Sequence, residues 1–277
     1  MGSPPAGTEQ QMVRLANHEI VAHNTATASE NRIHDDDVAA SFGFRGGLVP
    51  GVDVFAYLCR PAIAHWGVDL LERGRLEARF DRPVFDGEKV TVTARTVGRD
   101  QLQAAVDTAD GRCAGLDAEL MVDPPPPMGF PPRADLPGTR PPAGPDTLAD
   151  GTVLGTLDAV CDPDDHANYL HQVRDEGSAL AVDGPVHPGW LLRLANRALA
   201  SSVALGPWIH AGSAVTNYRS TALGEPLTVR SRVERAFEHK GHRFVLLDVL
   251  ILGADATPRT AVAHTAIYEP RQVRTAT

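Results

Sequence analysis

Three short patterns in this chain recur in the same order 137 or 138 residues downstream. Val49-Pro50-Gly51 is matched by His187-Pro188-Gly189, Phe85-Asp86-Gly87-Glu88 by Ala222-Leu223-Gly224-Glu225, and Asn31-x-x-His34 by Asn168-x-x-His171. Solenoid arrays stack three or more copies of a shorter unit, so two copies of this length point to a duplicated domain and an internal pseudo-dimer.

The boundary between the copies is also visible. Residues 124–145 read PPPPMGFPPRADLPGTRPPAGP, a stretch in which proline removes backbone donors and regular structure is not expected. Such a segment is extended and semi-rigid, able to cross the face of one domain and deliver the second beside the first. The expected division is an N-terminal domain over 12–123, a linker over 124–145 and a C-terminal domain over 146–277.

Each half carries the same order of elements. Gly51 to Trp66 has Val54, Phe55, Leu58, Ala62 and Trp66 at helical spacing, with Pro61 predicted to kink the helix rather than end it. Period-two segments follow at Leu76–Phe80, Lys89–Val97, Leu102–Thr108 and Cys113–Val122, with Asp86-Gly87 and Asp110-Gly111 as turns. After the linker a helix is predicted over Gly189–Val203, then strands over Ala214–Tyr218, Leu227–Ala236, Arg243–Leu252 and Ala261–Tyr268. The fold class is therefore α+β: two modules in tandem, each an antiparallel sheet wrapped around one central helix.

Charge and composition exclude several functions. With 26 basic and 35 acidic residues, a net charge of −9 and no basic stripe, nucleic acid is not an expected partner. Arg45, Arg60, Arg73, Arg75, Arg79 and Arg82 lie close in sequence and form a candidate pocket for an anionic tail, although solvated surface charge explains each of them as well. Cys59, Cys113 and Cys161 form no CxxC pair and suggest neither a disulfide framework nor zinc. Without an apolar leader or a long apolar run, the expectation is a cytoplasmic protein with no membrane partner.

Ahead of the first helix lies the polar segment Ser29-Glu30-Asn31-Arg32-Ile33-His34-Asp35-Asp36-Asp37. His34 has the side chain suited to proton transfer near neutral pH, and Asn31 can orient a water or carbonyl through its amide. The Gly51 amide at the following helix start is unpaired and points toward a polarised carbonyl. In the second half Asn168 and His171 repeat the spacing. Asp175 offers a competing alignment with a shortened loop, and His187, before Pro188-Gly189, either faces a second pocket or binds the helix-start backbone. His239, His242 and His264 show no spacing that suggests a metal cage.

Together, Asn31-x-x-His34, GFRGGLVPG over 43–51 and RFDRPVFDGEKVTV over 79–92 resemble the MaoC-like branch of the hot-dog superfamily, the enoyl-thioester hydratases and 3-hydroxyacyl-thioester dehydratases. The resemblance implies a fused double hot dog with His34 and a carboxylate activating water, Asn31 holding that water, and Gly51 polarising the thioester carbonyl. The family pattern has an Asp five residues before the His, where this chain has Ser29. The implied activity is hydration or dehydration of an acyl thioester linked to CoA or a carrier protein, with no metal or redox cofactor and with a homodimer of double hot dogs as a further expectation. Two alternatives stand beside it. One is a re-tasked enzyme performing elimination, isomerisation or cyclisation on a pathway intermediate; the other is a non-catalytic acyl-binding protein.

Overall fold

The computed structural model describes residues 12–27, 29–127, 129–181 and 184–274. The first half contains β1 (Met12–Arg14), β2 (His18–Val21), a 3-10 turn (Arg32–His34), α1 (Asp36–Ser41), α2 (Gly51–Trp66), α3 (Asp69–Arg73), β3 (Gly74–Phe80), β4 (Lys89–Val97), β5 (Gln101–Thr108) and β6 (Gly111–Leu120). The second contains β7 (Leu157–Ala159), α4 (Pro163–Gln172), α5 (Pro188–Ser202), β8 (Ile209–Asn217), β9 (Leu227–His239), β10 (His242–Leu252), β11 (Pro258–Glu269) and α6 (Arg271–Arg274).

All eleven strands form one antiparallel sheet, ordered β1-β4-β5-β6-β3-β8-β11-β10-β9-β7 with β2 also on β4. The order from the middle outward is the same on both sides: β3-β6-β5-β4 in one half and β8-β11-β10-β9 in the other. The halves meet where β3 pairs with β8, from Arg75 opposite Thr216 to Arg79 opposite Gly212. The duplication in the sequence is thus a pseudo-two-fold in the sheet.

Alternation along the strands builds the core. In β4, Val90, Val92 and Ala94 turn inward while their neighbours face out, so one face of the sheet closes on α2. That helix is buried almost all round, from Val52 through Cys59 and again at Ala62 and Ile63, because the sheet covers one side and α5 covers another. Complete burial of side chains such as Phe55 and Leu58 contributes about 1.5–3 kcal/mol each. The helix runs unbroken across Pro61.

Most predicted elements stand within a few residues of their expected limits. β8 begins at Ile209 rather than Ala214, since Gly212 and Ser213 interrupt the apolar alternation without interrupting the pairing. Among its described residues the Pro-rich stretch has no helix or extended strand and straps the second half: Ala134 exchanges hydrogen bonds with Thr156, while Ala143 and Pro141 pair with Ala204. Of the arginines grouped in sequence, Arg45 on Glu88 and Asp110 and Arg82 on the Asp110 carbonyl share a neighbour, while Arg60 is on Asp175, Arg73 on Asp69, Arg75 on Glu119 and Arg79 on Glu77, so the six do not converge as one pocket. No helix among the described residues is long and apolar enough to cross a membrane.

The two central helices touch at Gly189. A Cβ there would lie 2.2 Å from the Tyr169 hydroxyl and 3.1 Å from the Ala56 Cβ. Gly189→Ala is expected to lower stability by about 1–3 kcal/mol in urea denaturation, from overpacking. Because the Tyr169 hydroxyl is buried without a hydrogen-bond partner, adding Tyr169→Phe should restore most of that loss.

Candidate active site

The polar segment ahead of α2 folds as two short turns that hold each other. Asn31 caps the 3-10 turn through Ile33 N, and Asp35 caps α1 by accepting from Val38 N at 3.1 Å. Gly47 passes so close beneath that a Cβ would lie 2.3 Å from the His34 carbonyl oxygen, which explains a glycine at this point of GFRGGLVPG. The chain then turns through Pro50 into α2.

Within this frame the His34 ring has a defined tautomer. Nδ1 lies 2.7 Å from the Leu48 carbonyl oxygen, which can only accept, so Nδ1 carries the proton and Nε2 presents a lone pair. Asn31 Nδ2 donates one hydrogen to Nε2 at 3.3 Å and the other to the Trp208 carbonyl at 2.9 Å, while Asn31 Oδ1 accepts from Trp208 N at 3.2 Å. Asn31 therefore fastens the His34 loop to the backbone of the other half. Burial lowers the His34 pKa from 6.5, opposed by the Leu48 hydrogen bond and the charge of Asp53.

Two cavities meet at these residues. The inner one, about 230 Å³, is walled largely by apolar side chains such as Ile33, Phe44, Val54 and Phe80, and also by Gly51 and His210. The outer one, about 370 Å³, is lined by Ser29, Glu30, Arg140 and Arg197 among others. Asn31, His34, Pro50, Asn196 and Trp208 line both and so stand between them. At the start of α2, Pro50 provides no side-chain cap, and the Gly51 amide has no protein acceptor among the described residues.

The position of the expected carboxylate is occupied otherwise. Ser29 is exposed and its Oγ accepts from Asn31 N at 3.1 Å. Glu30 pairs at 2.8 Å with Arg140 of the Pro-rich stretch, which holds its pKa down. Asp53, fully buried on α2, is bound by the Thr25 hydroxyl at 2.5 Å and by Arg193 Nε at 2.8 Å. None of the three presents a free carboxylate to His34.

The second half differs at each corresponding point. Asn168 is exposed on α4, and His171, also exposed, bonds Glu176 through Nδ1 at 2.8 Å. These two repeat the Asn-x-x-His spacing in a regular helix whose buried face is His166, Tyr169 and Leu170, so they do not meet the other second-half candidates. Asp175 and His187 do come together, with Oδ2 3.6 Å from Nε2, and Arg60 Nε lies 3.4 Å from Oδ1. His187 Nδ1, however, accepts the Gly189 amide at 3.0 Å. The helix-start donor left open at Gly51 is already used at Gly189. His166 accepts from His187 N, and burial pushes its pKa down to about 4.

Asn196, His210, Asp53 and Arg193 were not among the sequence candidates. Asp53 and Arg193 carry a signal, since each places a charge among apolar neighbours on a helix, whereas Asn196 and His210 follow no local pattern.

No family model matches the chain, and no curated protein matches it by sequence. Solved structures do match. A MaoC domain protein from Chloroflexus aurantiacus, assigned as a dehydratase, superposes with TM-score 0.69 at 11% identity over 95% of this chain and 96% of that one. A Mycobacterium tuberculosis protein described as a double hotdog gives TM-score 0.60 at 16% identity over 94% and 96%. The chain has a MaoC-like double hot-dog fold. A third match, a Lactobacillus plantarum protein assigned as an oleoyl thioesterase, gives TM-score 0.56 at 11% identity over 95% and 99%.

Within the double hot dog, Asn31→Ala removes both bonds to Trp208 and should lower stability by about 1–3 kcal/mol, measured by chemical denaturation. His171→Ala, by contrast, should change stability by less than about 0.5 kcal/mol and leave any activity intact.

Proposed function

We propose that the protein is a hydro-lyase of MaoC type, adding water to or removing it from an acyl thioester at the His34 site. The observation that carries this reading is the His34 ring, whose Nδ1 is held on the Leu48 carbonyl so that Nε2 is its acceptor atom, with Asn31 Nδ2 beside it, standing where two cavities meet and next to the uncapped start of α2.

These parts suit chemistry next to a thioester carbonyl. As a proton leaves C2, negative charge grows on the carbonyl oxygen. A preorganised donor such as the Gly51 amide is worth about 3–4 kcal/mol at that stage. In dehydration, Nε2 takes the C2 proton, the C–H electron pair becomes the C2–C3 double bond as the C3–O bond breaks, and the imidazolium returns its proton to the departing hydroxide. Water leaves and the ring is neutral again. One imidazole performing both transfers fits a site where Ser29 replaces the motif carboxylate and where Glu30 and Asp53 are bound elsewhere.

Thioester hydrolysis is the second reading, favoured by the fold shared with the Lactobacillus protein. In it, His34 would activate water against a carbonyl held at Gly51. Incubation with crotonyl-CoA separates the two: loss of enoyl absorbance with no free thiol supports hydration, release of thiol supports hydrolysis, and neither event at micromolar enzyme overturns both.

For the active thioester, His34→Ala should reduce kcat by about 10²–10⁴-fold with the circular dichroism spectrum unchanged. The acid limb of kcat/KM should follow His34 as a base: activity is present while the ring is neutral and lost as pH falls through its pKa. Since burial lowers that pKa, the inflection should lie below 6.5 in a rate profile.

A further inference from the structure

Asn31 is the residue that the MaoC-like pattern gives to the reacting water, yet in this chain its amide is fully engaged. One Nδ2 hydrogen goes to His34 Nε2 and the other to the Trp208 carbonyl, while Oδ1 accepts from Trp208 N at 3.2 Å and from Ile33 N at 3.4 Å. A side-chain amide has two hydrogens to donate, and both are committed. Releasing those bonds to Trp208 would unfasten the loop that carries His34.

A second amide stands at the same junction. Asn196 lies on α5, in the other half, and lines both the inner and the outer cavity together with His34. Its place on the helix explains this: Arg193, Asn196, Arg197 and Ala200 line the outer cavity, and neighbours three and four residues apart share one side of a helix. Arg193, on that side, is already held by Asp53 and Gln172. No hydrogen bond among the described residues engages the Asn196 amide, and of its two polar atoms only Oδ1 is fully buried. Nδ2 is therefore the end that the cavities meet. His210, also on the inner wall, is turned into the sheet instead: Nε2 lies 2.8 Å from Ser213 Oγ, and Ser213 Oγ lies 3.0 Å from His264 Nδ1. Its Nδ1 is closed off by Gly51, where a Cβ would lie 2.9 Å away.

Resting on the hydro-lyase reading above, we propose that Asn196 Nδ2 donates a hydrogen bond to the water that is added or removed, so that the second half supplies a catalytic residue to the His34 site. In hydration the water gives a proton to His34 Nε2 as its oxygen bonds C3, and the electron pair of the C2–C3 double bond takes that proton at C2. Dehydration runs the same steps backward. In either direction the oxygen passes through a hydroxide-like state, which a fixed N–H beside it favours. The 3.3 Å bond from Asn31 to Nε2 is longer than an ordinary N–H hydrogen bond, so the ring can exchange it for the incoming water.

Rates of crotonyl-CoA hydration, set beside calorimetric affinities for butyryl-CoA, which has no double bond to hydrate, test this. Asn196→Leu keeps the shape of the side chain without its donor, and Asn196→Asp keeps the shape with a carboxylate that only accepts. Each should lower kcat by about 10²-fold while leaving the butyryl-CoA Kd and the melting temperature unchanged. Full kcat in either variant overturns the role of Asn196, as does a fall in kcat matched by an equal loss of butyryl-CoA affinity, and both leave the hydro-lyase reading standing. A wild-type protein that does not hydrate crotonyl-CoA overturns that reading and this assignment with it. Asn196→Asp, polar as well as isosteric, decides the point if Asn196→Leu does not fold.

Discussion

The antiparallel pairing of β3 with β8 is the contact on which the rest of the molecule depends. Five paired positions join two sheets into one, and the two halves then share a single continuous curved surface. With that seam in place, α2 and α5 must lie side by side inside it, close enough that Gly189 faces Ala56 and that Asp53 reaches Arg193. A buried ion pair of this kind is weak evidence for stability in itself, since desolvation opposes attraction. Here it has a second effect: it takes up a carboxylate close to His34.

The symmetry of the sheet does not extend to its chemistry. Both central helices begin with Pro-Gly, but one is preceded by Val49 and the other by His187. A valine leaves the first amides open, whereas the histidine accepts the Gly189 amide through its own ring. Below it, Asp175, His166 and Tyr169 complete a buried polar cluster. The first half keeps a cavity at the equivalent helix start, and the second half supplies part of its wall through Trp208 and His210. The duplicated chain thus has unequal halves, one bearing the His34 loop and the open helix start, the other supplying part of the cavity wall around them.

Much of the architecture was legible because it rests on local signals. Helical spacing from Val54 to Trp66 and strict alternation in Lys89–Val97 are properties of short windows, and the repeated Pro-Gly and Gly-Glu anchors fix the order of elements. That Asn31, His34 and Gly51 line one cavity was legible for the same reason, since they lie within 21 residues of one another. The misleading signal was the second Asn-x-x-His. Spacing alone does not distinguish a capped 3-10 turn from the exposed side of α4, and Asp162 with Pro163 starts a helix there that carries Asn168 and His171 outward. His210 was hidden for another reason: its partners Ser213, His264 and Gly51 are brought to it only by sheet register and by the seam.

The strap of residues 124–145 gives this arrangement a further property. Two separate modules meeting edge to edge would hold Asn31 against Trp208 only while they remained associated, so the fraction of intact sites would fall on dilution. With both modules on one chain, the encounter is intramolecular and its effective concentration is set by the strap, whatever the abundance of the protein. Anchoring the strap at Ala134, Pro141 and Ala143 shortens its free length further. A gene encoding such a chain can be expressed at very low levels without losing completed sites, and each half is free to accumulate substitutions that a symmetric dimer would have to bear twice.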